Sequence, residues 1–162
     1  VLANIRPELQ DKLGIDNPKH IPGDRMVAKI MEKVADFAEA ASKDLEVIVG
    51  SSSKIGDADA GLLSRYTEET AGIYNEAFNS WIARDPFKAN SILDNTKYLE
   101  RELRKAAIGI GNKYLEINAS LAFSLKSYLD NLAQIVNFGG TIAEAAINRS
   151  MTEPVTQKCE IE

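Results

Sequence analysis

Apolar residues recur every three or four positions along four long stretches of this chain. In the first stretch they line one face of a helix that we expect to begin with Asp24 as its N-cap and to end at Gly50. No segment alternates with the period of two that marks a half-buried strand. The pattern therefore predicts an all-α protein. The apolar positions of the first stretch are Val27, Ile30, Met31, Val34, Phe37, Ala38, Ala41 and Leu45.

The later stretches have their own start and stop signals. Asp85 is an N-cap residue and Pro86 suits the first position of a helix. Gly109 and Gly111 predict the end of that helix, because glycine commonly terminates helices. Long helices joined by short connections predict an antiparallel bundle. The three later helices are predicted over residues 59–83, 86–108 and 112–150.

The two ends of the chain and its composition narrow the function classes. Residues 1–23 predict an irregular lead-in and residues 151–162 a flexible polar tail. The net charge of −5 and the lack of a basic block disfavour direct nucleic-acid binding. The single cysteine, Cys159, excludes an internal disulfide. No apolar run approaches the ~20 residues of a membrane span, and the first residues lack the basic region and apolar stretch of a signal peptide, so we expect a cytoplasmic protein without membrane insertion.

Glu32 and Asp36 are the candidate site. They lie four residues apart on the first helix, which places them one turn apart with roughly 5–6 Å between Cβ atoms. Two carboxylates so close need a cation, a basic partner or open water to stay ionised. Hard oxygen ligands one turn apart are able to share a metal ion, while a solvated helix face is the simpler interpretation.

Catalytic motifs are missing from the chain. His20 is the only histidine, which rules out the Glu-x-x-His pairs of a di-iron enzyme. The sequence holds neither a Ser-His-Asp order nor a phosphate-binding glycine loop. We therefore expect a protein that is not an enzyme.

The first and last helices are similar to each other in sequence. Residues Met31–Ala41 align with residues Leu132–Ile142, with apolar positions matched and Phe37 opposite Phe138 in the alignment. A duplicated helical unit predicts such a repeat. Gly139-Gly140, inside the second copy, indicates either a close helix–helix approach or a kink.

Two segments resemble the PhoU family, the regulators of phosphate uptake. Met31–Ala38 is similar to the signature helix of that family, which reads roughly Leu-Glu-Arg-Ile-Ala-Asp-His-Ala. Asn137–Arg149 resembles the end of the last helix in archaeal PhoU-like proteins. The family fold is a pair of three-helix units. The resemblance implies that residues 59–150 form one unit and that residues 24–50 are the last helix of a preceding unit.

The resemblance also implies a function. Family members regulate phosphate uptake through contact with a phosphate transporter or a signalling protein, and their paired carboxylates bind iron or zinc. Glu32 and Asp36 would be the metal ligands here. The second unit departs from that pattern, because Ala133 and Asn137 replace the two acids and Gln134 replaces the Arg.

Two further expectations follow from the resemblance. Many archaeal members carry an N-terminal DNA-binding domain used in transcription regulation, and a start at Val1 fits a C-terminal portion of such a protein. A helix without its neighbours would expose an apolar face, so we expect a homodimer to cover it. The alternative is a metal-free dimerisation or scaffold module.

Overall fold

Four α-helices make up most of the computed structural model of this protein, which describes Lys12 and residues 17–151. A short 3-10 turn at Pro18–His20 leads into the first helix, and the described residues contain no strand. The all-α prediction is therefore confirmed. None of the described helices combines the length and the apolar character that crossing a bilayer requires. The helices are α1 (Ile21–Gly50), α2 (Asp57–Ala83), α3 (Pro86–Leu115) and α4 (Ala119–Met151).

The predicted flanking segments lie mostly outside the described residues. This holds for the tail, apart from Met151, and for the lead-in as far as residue 16, apart from Lys12. The last part of the lead-in is helical, because α1 begins at Ile21 rather than after an N-cap at Asp24. Asp24 lies in the first turn of α1, where its carboxylate accepts a hydrogen bond from Arg149 Nη1 at 2.9 Å.

The boundary between α3 and α4 differs from the prediction. Gly109 and Gly111 lie inside α3, which continues to Leu115. Packing explains the difference: Ile110 and Tyr114 are buried and extend the apolar face, and a Cβ on Gly111 would lie 3.5 Å from Lys126 Cβ. Burial of a helical face outweighs the low helix propensity of glycine.

Helices α3 and α4 each begin after a residue whose side chain caps the first turn. Asp85 Oδ1 accepts a hydrogen bond from the Lys88 amide at 3.0 Å, as the sequence predicts for an N-cap. Helix α4 begins at Ala119, seven residues after the predicted start at Asn112. The Asn118 side chain accepts from the Leu121 amide at 3.1 Å and supplies the cap at this later position.

Helix α4 is the centre of the fold. It packs against α1, α2 and α3, whereas α1 packs against α4 and makes few contacts with the other two helices. A Cβ on Gly139 would lie 3.2 Å from Ile73 Cγ2 of α2, and one on Gly140 would lie 3.2 Å from Thr96 Oγ1 of α3. The two glycines therefore allow both neighbours to approach α4 closely, as one of the two interpretations of this pair predicts.

Contacts along α1 and α4 show that the two helices run in opposite directions. Asp24 near the start of α1 meets Arg149 near the end of α4. Twenty residues later along α1, Asp44 accepts from Asn131 Nδ2 at 2.9 Å. The α1–α4 contact therefore extends over most of α1.

Candidate functional site

The predicted carboxylate pair lies on the solvent side of α1. Glu32 and Asp36 are both exposed, and Asp36 Oδ2 accepts a hydrogen bond from Lys33 Nζ at 3.0 Å. Asp36 raises the pKa of the Lys33 amine above its usual value, chiefly through this hydrogen bond. Among the described residues, Lys33 is a basic partner for Asp36, and both carboxylates face water. The pair therefore does not need a metal ion to offset its charge.

The described residues do not complete a metal site around this pair. They contain no group of three or more histidine, cysteine or acidic side chains placed to hold one ion. Zinc sites in proteins take three or four protein ligands, so two exposed carboxylates on one helix do not complete such a site by themselves. Glu32 and Asp36 remain a predicted pair for which any further ligands would have to come from elsewhere.

The equivalent segment of α4 has a structural role. Ala133, which the internal alignment places opposite Glu32, is fully buried in the core. Gln134 is half-buried and Asn137 is exposed. The α4 segment therefore packs where the α1 segment is solvated.

The two phenylalanines that the repeat aligns lie against each other in the fold. The ring centroids of Phe37 and Phe138 are 5.9 Å apart with an interplanar angle of 41°, and both side chains are half-buried. Since α1 and α4 run in opposite directions, residues before this point on one helix face residues after it on the other. The sequence alignment and the helix packing therefore coincide at this pair of rings.

Helix α1 has two parallel apolar stripes. The first faces α4 and includes the buried residues Val27, Ile30, Ala41 and Ile48. The second is displaced by one position, follows the alternating three-and-four spacing of a helix-packing seam, and is exposed along its full length. We call this second set the outer stripe; it consists of Ala28, Met31, Ala35, Ala38, Ser42, Leu45 and Val49.

Part of the outer stripe forms one wall of an apolar groove. The groove lies between α1 and α2, has a volume of about 350 Å³, and has α4 as its floor. It arises because α1 and α2 both pack on α4 and barely touch each other. Its lining is Val34, Ala38, Ala41, Ser42 and Leu45 from α1, Thr67, Thr70, Ala71 and Tyr74 from α2, and Tyr128, Leu132 and Ile135 from α4.

Two threonines on the α2 wall differ in their hydrogen bonding. Thr67 Oγ1 donates to the Leu63 carbonyl at 2.7 Å, so the contact of 2.6 Å with Tyr128 has the tyrosine hydroxyl as its donor. Thr70 is only 2% exposed, and its hydroxyl has no hydrogen-bond partner among the described residues. A buried hydroxyl without a partner is costly, which makes Thr70 the polar group in this groove that needs an explanation.

A smaller cavity of about 160 Å³ lies at the end of the bundle where α1 begins. The Arg149 guanidinium stands over the Trp81 ring at 5.3 Å and pairs with Asp24. His20, for which the sequence predicts no catalytic or ligand role, is buried here beside Arg149. The Arg149 guanidinium is already paired with the Asp24 carboxylate and stacked on the Trp81 ring. We therefore interpret this cluster as a structural link between α1, α2 and α4.

A polar cluster at the opposite end joins α2 to α3. Tyr114 OH donates to Asp59 Oδ2 at 2.7 Å, Lys113 Nζ lies 2.6 Å from the same oxygen, and the Gly56 amide donates to Tyr114 OH at 2.8 Å. The hydrogen bonds from Lys113 and Tyr114 lower the pKa of the Asp59 carboxyl below its usual value. Sequence reasoning missed this cluster, because its members are more than fifty residues apart in the chain.

Comparison with known proteins identifies no matching protein family, no matching curated protein and no matching solved structure. The interpretation of the function therefore rests on the residues and on their arrangement.

Proposed function

We propose that this chain is a non-enzymatic, PhoU-like regulator of phosphate uptake or phosphate signalling, acting through contact with a phosphate transporter or a signalling protein. The observation that supports it best is the pairing of α1 with α4, in which the aligned Phe37 and Phe138 pack together at 5.9 Å. This pairing is what a duplicated unit predicts. The phosphate part of the proposal is based on the resemblance of residues 31–38 and 137–149 to the family.

The arrangement of the helices also supports the proposal. Helices α2, α3 and α4 contact one another and form a three-helix unit, and α1 joins it only through α4. Such an arrangement suits one complete unit, residues 59–150, beside the last helix of another. The proposed fold is therefore an antiparallel bundle built from PhoU-like repeats.

The direct test is the phosphate response of the source cell. Deleting the gene should change phosphate uptake at high or at low external phosphate, because a regulator acts by altering the transport that it controls. The measurement is uptake of radiolabelled phosphate at high and low external concentration, with the intact gene restored as control. Uptake that is the same in the deleted and restored strains at both concentrations would exclude the proposal.

We propose iron or zinc binding at Glu32 and Asp36 as a separable part of this function. Metal content is measured by mass spectrometry on protein purified without chelator, beside the double variant Glu32→Gln/Asp36→Asn. Stoichiometric metal that the double variant loses would support a sensing site. Metal-free protein with an unchanged phosphate response would restrict the chain to contacts between proteins.

The second candidate is a metal-free dimerisation or scaffold module. It is favoured by Ala133, which is buried in α4 where the family has an acid, and by the ion pair that occupies Asp36. A homodimer belongs to both candidates. The described surface offers an apolar patch for it at the α3–α4 hairpin, formed by Ile108, Leu115, Ile117 and Phe123.

Sedimentation tests the dimer. Phe123→Ser should shift it towards the monomer if this patch is the interface, because Phe123 is the most exposed of the four residues. Phe87→Ser, at a phenylalanine that lies outside the patch and is more exposed still, is the control.

A further inference from the structure

The outer stripe of α1 corresponds position by position to a buried stripe of α4. Continuing the repeat alignment, Met31 is equivalent to Leu132 and Leu45 to Ala146; the α1 residues are both 41% exposed, whereas the α4 residues are 4% and 0% exposed. On α4 this stripe is covered by neighbouring helices, as the contact of Gly139 with Ile73 shows. The equivalent stripe on α1 is therefore shaped for a helix that the described residues do not supply.

The lining of the groove fits such an occupant. Ala38, Ser42 and Ala71 are small side chains on facing walls, which lets a further backbone approach closely. Ala, Met, Leu and Val follow one another at the spacing that receives the side chains of a packed helix. The buried Thr70 hydroxyl, which has no partner, adds a hydrogen-bonding group in the same wall.

The charges along the edge of the outer stripe indicate which charge a helix bound there should carry. Glu32, Glu39 and Glu46 are exposed and recur every seven residues beside the stripe. On α4 the equivalent positions are Ala133, Gly140 and Ile147, which are apolar and wholly or partly buried. The acidic edge is thus a property of α1 and is absent from the copy that packs inside the protein.

Nearby cations offset this edge only in part. Lys43 pairs with Glu39 at 2.6 Å, and Lys33 pairs with Asp36 on the far side of the glutamates. The α2 rim of the groove presents Ser64, Glu68 and Asn75, none of which is basic.

We propose that the α1–α2 groove binds an amphipathic helix of another protein, whose apolar seam meets the outer stripe and whose Lys or Arg side chains meet Glu32, Glu39 and Glu46. The proposal rests on the protein-contact part of the proposed function and specifies the chemistry of the partner. A second copy presenting its own α1 in the opposite direction is disfavoured, because it would set glutamate edge against glutamate edge.

The test uses the full chain and two synthetic helical peptides of about three heptads with identical Leu/Ala seams. One peptide carries Lys along its flanking positions and the other carries Glu. Fluorescence anisotropy should show the Lys peptide binding at least about tenfold more tightly at low salt, with the ratio falling as salt rises. Equal affinities for the two peptides, or no binding of either, would overturn the proposal.

Two pairs of variants locate the binding. Ala38→Gln places a polar side chain in the groove and should weaken the Lys peptide about tenfold or more, because that side chain must be desolvated on binding. Ala58→Gln, at an exposed alanine away from the groove, should leave the affinity unchanged. Both positions are exposed, so both variants should keep the wild-type circular dichroism spectrum, which is the folding check.

Charge reversal tests the partner chemistry. Glu32→Lys/Glu46→Lys should reverse the preference towards the Glu peptide, whereas Glu116→Lys/Glu144→Lys, at two exposed glutamates off the groove, should not. A preference that follows net charge equally in both double variants would contradict the proposed edge.

Other occupants give distinct results that would also overturn the proposal. A dimeric chain that becomes monomeric with Ala38→Gln would mean that a second copy fills the groove. Peptide binding that requires removal of residues 1–16 would mean that the chain covers its own groove. Failure of the proposed function is distinguishable, because phosphate uptake that ignores the gene would leave the peptide result standing.

Discussion

Helices α1 and α4 match at their aligned apolar positions, but they differ in how many neighbouring helices cover those positions. Helix α4 packs against three helices and buries the apolar positions along its length, from Leu121 to Ala146. Helix α1 packs on α4 alone and leaves its outer stripe exposed. The difference shows that amphipathic periodicity reports how many faces a helix is able to bury, while the neighbours decide how many it does bury.

The largest difference should appear at the equivalent residues Leu132 and Met31. Leu132→Ala should lower the free energy of unfolding by roughly 2–4 kcal/mol, since it leaves a cavity in a packed core. Met31→Ala should change it by less than about 0.5 kcal/mol, because the side chain is already partly in water. Urea denaturation measures both. Equal losses would mean that the outer stripe is buried in solution.

A pH-dependent link holds the three-helix unit together and does not involve α1. Asp59→Asn should lower the free energy of unfolding by roughly 1.5 kcal/mol at neutral pH, since the hydrogen bonds of an ionised carboxylate to Lys113 and Tyr114 are lost or weakened.

The pH dependence has a definite sign. The Asp59 pKa is lowered from 3.8 in the folded state, so its contribution is complete above that pH and is lost as the pH falls through the lower folded value. The gap between wild type and variant should therefore close in acid, as urea titrations at a series of pH values would show. Lys105→Ala, which removes an exposed ion pair with Glu102, is the control that should show little effect at any pH. A gap that widens in acid would contradict this account.

The effects of mutating Phe37 and Phe138, whose rings are in contact, on the free energy of unfolding should be coupled. A double-mutant cycle on Phe37→Leu and Phe138→Leu should give an interaction free energy of about 0.5–1.5 kcal/mol, as expected for an aromatic pair. The same cycle on Phe37 with Phe123, which lies on the α3–α4 hairpin surface, should give a coupling near zero. Additive single effects at Phe37 and Phe138 would remove the support for the repeat.

The smallest effect concerns the groove between α1 and α2. Thr70→Val should stabilise the free protein by up to about 1 kcal/mol, because it removes a buried hydroxyl that has no partner. Ser80→Ala, at a buried hydroxyl that donates to the Ala77 carbonyl at 2.7 Å, is the contrasting control and should destabilise.

The sequence by itself determined the helical class, the approximate extents of the first two helices and the N-cap at Asp85. These features depend on local periodicity and on capping, which are encoded within a few neighbouring residues. The alignment of Phe37 with Phe138 was also visible in the sequence. The carboxylates Glu32 and Asp36 were correctly placed on one helix, and their metal role stays a prediction.

Only the tertiary structure decided the features that depend on neighbours distant in the chain. It kept Gly111 inside α3 against Lys126, joined Asp59 to Tyr114, and left α1 and α2 apart over a floor supplied by α4. It also separated the apolar residues of α1 into a covered stripe and an open one. The physical reason is that burial is a property of surroundings: the same residue type is core or surface according to which helix lies beside it.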